Sequence, residues 1–226
     1  MHEVGIPAYD QGDYDWVIGT DEAGYGCWAG DLVVGMAAVR KGWQPSVPIG
    51  DSKKLTPAAR DRAYEALLKD LFIFQQVHSV SPAAVDRDGV YRTLIMTHEA
   101  AVKKAHQAIV AKYGDKTRIV VIVDGNMPIK NAVSLPKADN LIPACSAASI
   151  LAKVWRDREM VKLAKVYPGY GFERHMGYGT PEHQRALGRL GVCGIHRLSY
   201  APIAKCAEKE VEHRGLWDEF CDDETV

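Results

Sequence analysis

Cysteine is present but follows no pairing pattern. Cys27, Cys145, Cys193, Cys206 and Cys221 are scattered and odd in number, with no CxxC pair and no Cys/His zinc spacing. A disulfide scaffold and a structural zinc site are therefore excluded as organising devices, and a reducing compartment is expected. Long apolar runs are also missing. None approaches the roughly eighteen residues of a membrane span, and Met1 to Gln11 lacks the apolar stretch of a signal peptide, so a cytoplasmic protein with no membrane partner is expected. Internal repeats and low-complexity tracts are absent.

Net charge is only −1 at pH 7, which taken alone argues against a nucleic-acid partner. The neutral total conceals an asymmetry. From Leu151 to Gly215 there are twelve Lys or Arg against seven Asp or Glu, whereas Leu216 to Val226 carries five acids and no base. The basic segment permits a phosphate-backbone partner, and it equally fits a solvated helix face.

A chain of 226 residues with ordinary apolar and charged fractions can bury one substantial core. A single domain over residues 1–226 is expected, with an α/β core over about 12–165, a helical C-terminal region over about 166–215 and an acidic tail at 216–226. Trp16 to Thr20 and Leu32 to Val39 read as two strands of a hairpin across a glycine-rich turn. Thr56 with Pro57 opens a helix to about Lys69, Leu71 to Val80 reads as a strand, and Ser81 with Pro82 opens a short helix ending near Gly89. Val90 to Tyr113 is helical by its apolar spacing, with Gly114 as its stop, and Arg118 to Val123 is a strand. A long helix is expected from Ser146 to Val166, its small residues Ala147, Ala148 and Ser149 allowing close approach to a sheet. Pro168 to Gly179 reads as a loop, and Thr180 with Pro181 opens another helix. Strands followed by alternating helix and strand indicate a mixed sheet flanked by helices.

Four acids at three places stand out. Asp21 and Glu22 sit where the apolar run Trp16, Val17, Ile18 meets a glycine cluster, Asp124 ends the strand RIVVIV, and Asp139 closes the segment Pro136, Lys137, Ala138. Acids at the mouths of core strands carry a large desolvation cost unless something cationic holds them, so their convergence would imply a metal site. Taken singly, each also reads as a turn residue, because Asp before Gly is a common turn signal. Cys27 lies in the same stretch, but no histidine is placed beside it by sequence, and a small buried thiol is the plainer reading.

Six strings, in order along nearly the whole chain, resemble the ribonuclease HII family: DEAGYG at Asp21 to Gly26, DSKKL at Asp51 to Leu55, VDGN at Val123 to Asn126, KAD at Lys137 to Asp139, SAASILAKVWRDREM at Ser146 to Met160, and the loop and helix segments within Tyr167 to Pro202. The resemblance implies a ribonuclease H-like fold, with a mixed five-stranded sheet, helices on both sides and a helical C-terminal extension. It implies an endonuclease that cuts the RNA strand of RNA/DNA hybrids and cuts at ribonucleotides embedded in duplex DNA, leaving 3′-OH and 5′-phosphate ends. It places the metal-binding acids on Asp21, Glu22, Asp124 and Asp139, holding two Mg2+ or Mn2+ ions about 4 Å apart. Asp157 is a nearby alternative to Asp139, but it lies between Arg156 and Arg158 inside a helix, where pairing with a base is the expected duty.

The same resemblance assigns substrate contacts. A glycine turn at Gly24, Tyr25 and Gly26 would meet the ribonucleotide 2′-hydroxyl through backbone, and Tyr178 would stack on a sugar. Lys53, Lys54, Ser146, Lys153, His196 and Arg197 would meet phosphate, with helix capping and packing as the competing duty for Ser146 and Ser149. His175 and His183 read as surface residues without chemistry. The chain departs from the family at Tyr25, where the family carries arginine, and at Cys27, where proline is common. Tyrosine can stack and donate one hydrogen bond but offers no charged fork, so the departure bears on junction specificity and leaves metal binding untouched. Ribonuclease HIII enzymes also lack that arginine, but nothing here supplies their extra N-terminal domain. Two further readings accompany the hydrolase: a hybrid-binding protein with weakened catalysis, and other phosphoryl-transfer chemistry such as DNA strand transfer. A monomer is expected. Leu216, Trp217 and Phe220 are spaced like a short docking motif for a sliding clamp, against which stands a frayed acidic end.

Overall fold

The computed structural model describes residues 9, 11–50, 52 and 54–208. Asp51, Lys53, Cys221 and the tail from 216 with its docking motif lie outside the described residues. Two compact units emerge: one from the segment ending at Tyr25 with Leu32–Val80 and Val90–Arg156, the other from Gly26–Asp31, Ser81–Gly89 and the chain from Asp157 onward.

The first unit is built on a five-stranded mixed sheet. Its strands are β1 (Trp16–Ala23), β2 (Leu32–Arg40), β3 (Ile73–Val80), β4 (Ile119–Asp124) and β5 (Val133–Leu135), in the spatial order β3-β2-β1-β4-β5. β1 pairs antiparallel with β2 as the hairpin reading expected, and parallel with β4, so the C-terminal ends of β1 and β4 lie side by side. The helices of this unit are α1 (Pro57–Lys69), α3 (Val90–Tyr113) and the first part of α4 (Pro143–Val166). This is the α/β architecture that the strand and helix pattern indicated.

Alternation along β1 sorts its side chains between two layers, because successive residues of a strand point to opposite faces. Val17 joins Ala37 and Val39 of β2, Val120 and Ile122 of β4, and Ala144, Ala147, Ile150, Leu151 and Val154 of α4 in the main core. The opposite face carries Trp16, Ile18 and Thr20, and Thr20 meets His98 of α3. Burial of each large aliphatic side chain in these layers contributes about 1.5–3 kcal/mol. α4 lies unusually close to its face. A Cβ on Gly19 would come within 2.8 Å of Ala144 Cβ, and one on Gly35 would overlap Ala148 O, so glycine on the sheet and alanine on the helix set the spacing.

Helix starts follow their caps. Thr56 Oγ1 accepts from Ala59 N at 3.2 Å, Ser81 Oγ from Ala84 N at 3.4 Å and Thr180 Oγ1 from His183 N at 3.3 Å, each followed by proline at the first helical position. These open α1, α2 (Pro82–Asp88) and α6 (Pro181–Leu190). Boundaries differ from the expected ones for local reasons. β3 begins at Ile73 because Asp70 Oδ1 accepts from Phe72 N at 2.8 Å and turns Leu71 out, leaving it 94% exposed. α4 begins at Pro143, three residues early, with proline again at the start. The segment Pro168 to Gly179 is not all loop, since α5 (Phe172–His175) forms one turn inside it.

The second unit has its own core around Ala29, Met160, Tyr170, Phe172, Ala186, Leu187, Ile195 and Ile203, with a further helical stretch over 201–208. Trp28 N donates to Gly177 O at 2.8 Å, and Gly30 N donates to Ile195 O at 2.9 Å. The segment following the Gly24–Gly26 turn is thereby stitched to the loop that carries Tyr178.

Candidate active site

β1 does not stop at Thr20. Pairing with β2 continues through Asp21↔Gly35, Glu22↔Val34 and Ala23↔Val33, so both acids are strand residues and the alternation of β1 governs them. Asp21 falls on the α4 face and Glu22 on the α3 face. Asp124, the last residue of β4, shares the α4 face with Val120 and Ile122. Asp139 sits in a 3-10 turn, Ala138–Asn140, just before α4, preceded by Lys137 in a left-handed conformation at φ 64°.

These elements bring carboxylate oxygens of Asp21, Asp124 and Asp139 within 4.8 Å of one another. Asp21 and Asp139 are buried and Asp124 half-buried. Asp21 Oδ1 accepts from Glu22 N at 2.7 Å, and its carboxylate is bonded by Ser149 of α4, whose hydroxyl lies 2.9 Å from that of Ser52. Asp124 Oδ1 accepts from Ala138 N at 2.6 Å. Asp139 Oδ1 accepts from Asn140 Nδ2 at 2.8 Å, and its main-chain oxygen accepts from Ser146 Oγ at 2.5 Å. Each acid is held by a donor that leaves carboxylate lone pairs unused.

Burial raises the Asp21 carboxyl to about 7, with the charge of Glu22 the next cause and that of Asp124 a smaller one. Burial likewise raises Asp124, followed among the raising causes by Asp139 and Glu22. The deep thiol of Cys145, which donates to Ile122 O at 3.5 Å, is pushed well up by burial and then by the same acids. Buried and half-buried carboxylates gathered this closely form an anionic pocket suited to a cation. Hard oxygen donors with spare lone pairs suit Mg2+ or Mn2+, and the donor set contains no thiolate or imidazole for zinc. The residues fit the divalent ions that the sequence implied.

Glu22 stands apart from this triad. Its side chain leaves β1 on the α3 face, with Oε2 3.6 Å from His98 Nε2, while its charge still bears on Asp21 and Asp124. His98 itself gave no sequence signal beyond its place in an apolar helix. Ser149 was visible as a small helix residue with capping, packing or a phosphate bond as its expected duty, and Ser52 only as part of DSKKL.

The other expected contacts divide. Tyr25 is 42% and Tyr178 45% exposed, so both side chains reach solvent in part. Gly24 holds φ 89°, and Gly26 has open space where a Cβ would stand. Lys54 is exposed, with Nζ 3.2 Å from Asn140 Oδ1, and Lys153 is half-buried on α4. Ser146 is buried and bonds backbone, which makes it a support for Asp139 rather than a phosphate contact.

His196 and Arg197 are corrected outright. Both are buried; Arg197 Nε and Nη2 donate to Gly30 O at 3.1 and 2.9 Å, and Nη1 donates to Tyr200 Oη at 3.0 Å. A guanidinium spent on a main-chain carbonyl in a core is an internal clamp, not a phosphate ligand. His175 and His183 are not surface residues either. Both are buried with rings stacked 4.5 Å apart, and His183 Nε2 lies 3.0 Å from His196 Nε2. Burial lowers His183 and His196 to about 4. Cys27 is fully buried, in keeping with a packed thiol. Among the described residues no helix is long and apolar enough to cross a membrane.

The model of the family described as Ribonuclease HII matches residues 18–203. A Ribonuclease HII of Thermus thermophilus is 42% identical over 195 residues, covering 84% of this chain and 88% of the relative. The crystal structure of the ribonuclease H2 from Pyrococcus horikoshii OT3 is similar with a TM-score of 0.70 and 25% identity, covering 86% of this chain and 98% of that one. Bst-RNase HIII in complex with Mn2+ is similar in fold alone, with a TM-score of 0.65, 18% identity and 92% and 74% of the two chains covered. A match that runs from residue 18 to residue 203, and so includes Asp21, Glu22, Asp124 and Asp139, shows that the chain belongs to the ribonuclease HII family of endoribonucleases.

Proposed function

We propose that this chain, acting as one catalytic domain, is a metal-dependent endonuclease that hydrolyses the RNA strand of RNA/DNA hybrids and cuts at ribonucleotides embedded in duplex DNA. The observation that carries the reading is the meeting of Asp21, Asp124 and Asp139 within 4.8 Å in a chain of this family. Asp21, Asp124 and Asp139, joined by Glu22, would hold two Mg2+ or Mn2+ ions, as the Mn2+ complex of Bst-RNase HIII supports for the choice of ion. Such ions activate water and stabilise the anionic transition state and leaving oxygen of phosphodiester hydrolysis.

The chain's own residues supply the rest. Ser149 and Ala138 N orient Asp21 and Asp124, and Ser146 fixes the turn that presents Asp139. The Gly24–Tyr25–Gly26 turn exposes backbone suited to the 2′-hydroxyl, the one group that separates RNA from DNA, and Tyr178 offers a stacking face. Lys54 and Lys153, with Lys53 by sequence, would meet phosphate. The clamp-docking reading of Leu216, Trp217 and Phe220 rests on sequence spacing alone.

Asp124→Asn is expected to abolish Mg2+-dependent cleavage of a duplex carrying one ribonucleotide, while circular dichroism stays unchanged; parent-level cleavage by that variant would refute the assignment. The exposed Tyr25 favours a second reading in which junction specificity is relaxed or cutting is weak. Tyr25→Arg then sharpens cleavage at the junction relative to a continuous hybrid. Efficient junction cutting by the parent removes that reading.

A further inference from the structure

His98 is a fully buried imidazole that no expected role uses. It projects from α3 onto the β1 face that carries Thr20 and Glu22, two positions apart on one strand. Nδ1 lies 2.8 Å from Thr20 Oγ1, which is itself fully buried. Nε2 has no hydrogen-bond partner and faces Glu22 Oε2 at 3.6 Å. A buried ring nitrogen left unpaired is disfavoured, and the carboxylate in front of it can only accept. The assignment of protons follows from the partners: the Thr20 hydroxyl donates to Nδ1, and Nε2 carries the hydrogen directed at Glu22.

We propose that His98, pinned by Thr20, is a positioning residue that holds the Glu22 carboxylate in the orientation needed to join Asp21, Asp124 and Asp139 on divalent cations. The inference rests on the metal-dependent reading above. Glu22 is the one acid of the four on the α3 layer, and its side chain is 26% exposed, so without a fixed partner it is free to swing away from the triad. A movement of about half an ångström would complete the Nε2 contact at ordinary hydrogen-bond length. Outer partners of metal-ligating side chains set ligand orientation, and losing one weakens metal binding about 10- to 100-fold. A histidine that merely fills space in the core would have no such effect.

The test is Mn2+ titration of the metal-free full chain by calorimetry, for the parent, His98→Leu, His98→Gln, Thr20→Val and, as a control, Asp124→Asn. His98→Leu is expected to raise the Mn2+ Kd about 10-fold or more. His98→Gln, which keeps an N–H donor, recovers most of the loss, and Thr20→Val, which frees the ring, falls between. A folded His98→Leu with parental affinity overturns the proposal. Should His98→Leu fail to fold, parental affinity in Thr20→Val overturns it equally, since that near-isosteric change removes the pin alone. A parent that takes up no Mn2+ sinks the metal-dependent reading and this inference with it, whereas normal uptake indifferent to His98 and Thr20 sinks this inference only.

Discussion

Gly24 rests directly on the buried guanidinium of Arg156: at φ 89°, a Cβ there would collide with Arg156 Nε and stand 2.8 Å from its Cδ. The turn beside the acids is therefore shaped from below by a side chain of α4 as well as by its own glycines. Arg156 has its own partners, so it cannot retreat at no cost.

Gly24→Ala is expected to destabilise the chain by about 1–3 kcal/mol, through a left-handed backbone that alanine resists and through the clash with Arg156. Thermal melts should register the loss. Cleavage of a ribonucleotide-containing duplex should fall further than stability does, because the turn itself is displaced.

Gly35 faces Asp21 across the β1–β2 pairing, and a Cβ on it would overlap Ala148 O and lie 2.9 Å from Ala152 N. Gly35→Ala should push α4 off the sheet at a cost of about 1–3 kcal/mol. Since Ser149 of that helix bonds Asp21, Mn2+ affinity should weaken along with the melting temperature. Unchanged metal affinity in a destabilised variant would separate the two effects.

Asp21 titrates at about 7 instead of its ordinary 3.8. Between those values the native carboxyl holds a proton that the unfolded chain has released, so its contribution to stability falls as pH rises through that window and the penalty is complete above about pH 7. Asp21→Asn should therefore stabilise metal-free protein at pH 8 by on the order of 1–3 kcal/mol, read as a higher melting temperature, with little gain at pH 4. Activity should vanish in the same variant. No stabilisation at pH 8 in chelator would contradict the burial argument.

His183 and His196 act in the opposite direction. Their native values of about 4 lie below the ordinary 6.5, so the unfolded chain binds protons in that interval while the native chain does not, and stability is lost as pH falls from 6.5 toward 4. In Asp21→Asn, where the opposing carboxyl is gone, a fall of several degrees in melting temperature is expected between pH 7 and pH 5, at about 2–4 °C per kcal/mol for a chain of this size. His183→Gln should flatten that slope, as differential scanning calorimetry at several pH values would show.

Local chemistry was legible from sequence where a short pattern decides the outcome. Thr56, Ser81 and Thr180 announced their helices because a capping hydroxyl followed by proline acts within one turn. Asp124 was legible as the end of an apolar strand. The continuation of β1 through Asp21 and Glu22 was hidden, since it depends on pairing with Val33 to Gly35 rather than on the acids themselves. Three-residue β5 is too short to leave a period. His196 and Arg197 look like phosphate ligands because sequence reports charge and not depth, and the carbonyl that takes up Arg197 belongs to Gly30, far away in the chain. The pairing of His98 with Thr20 and Glu22 is of the same distant kind.

Because β1 deals its residues alternately to two layers, the neighbouring acids of one dipeptide have been given different addresses. Inserting or deleting a single residue between Trp16 and Asp21 would exchange them, turning Asp21 toward the imidazole and Glu22 toward the serines. Length, more than composition, is what this short stretch can least afford to vary, since aspartate and glutamate differ in reach as well as in the layer they face.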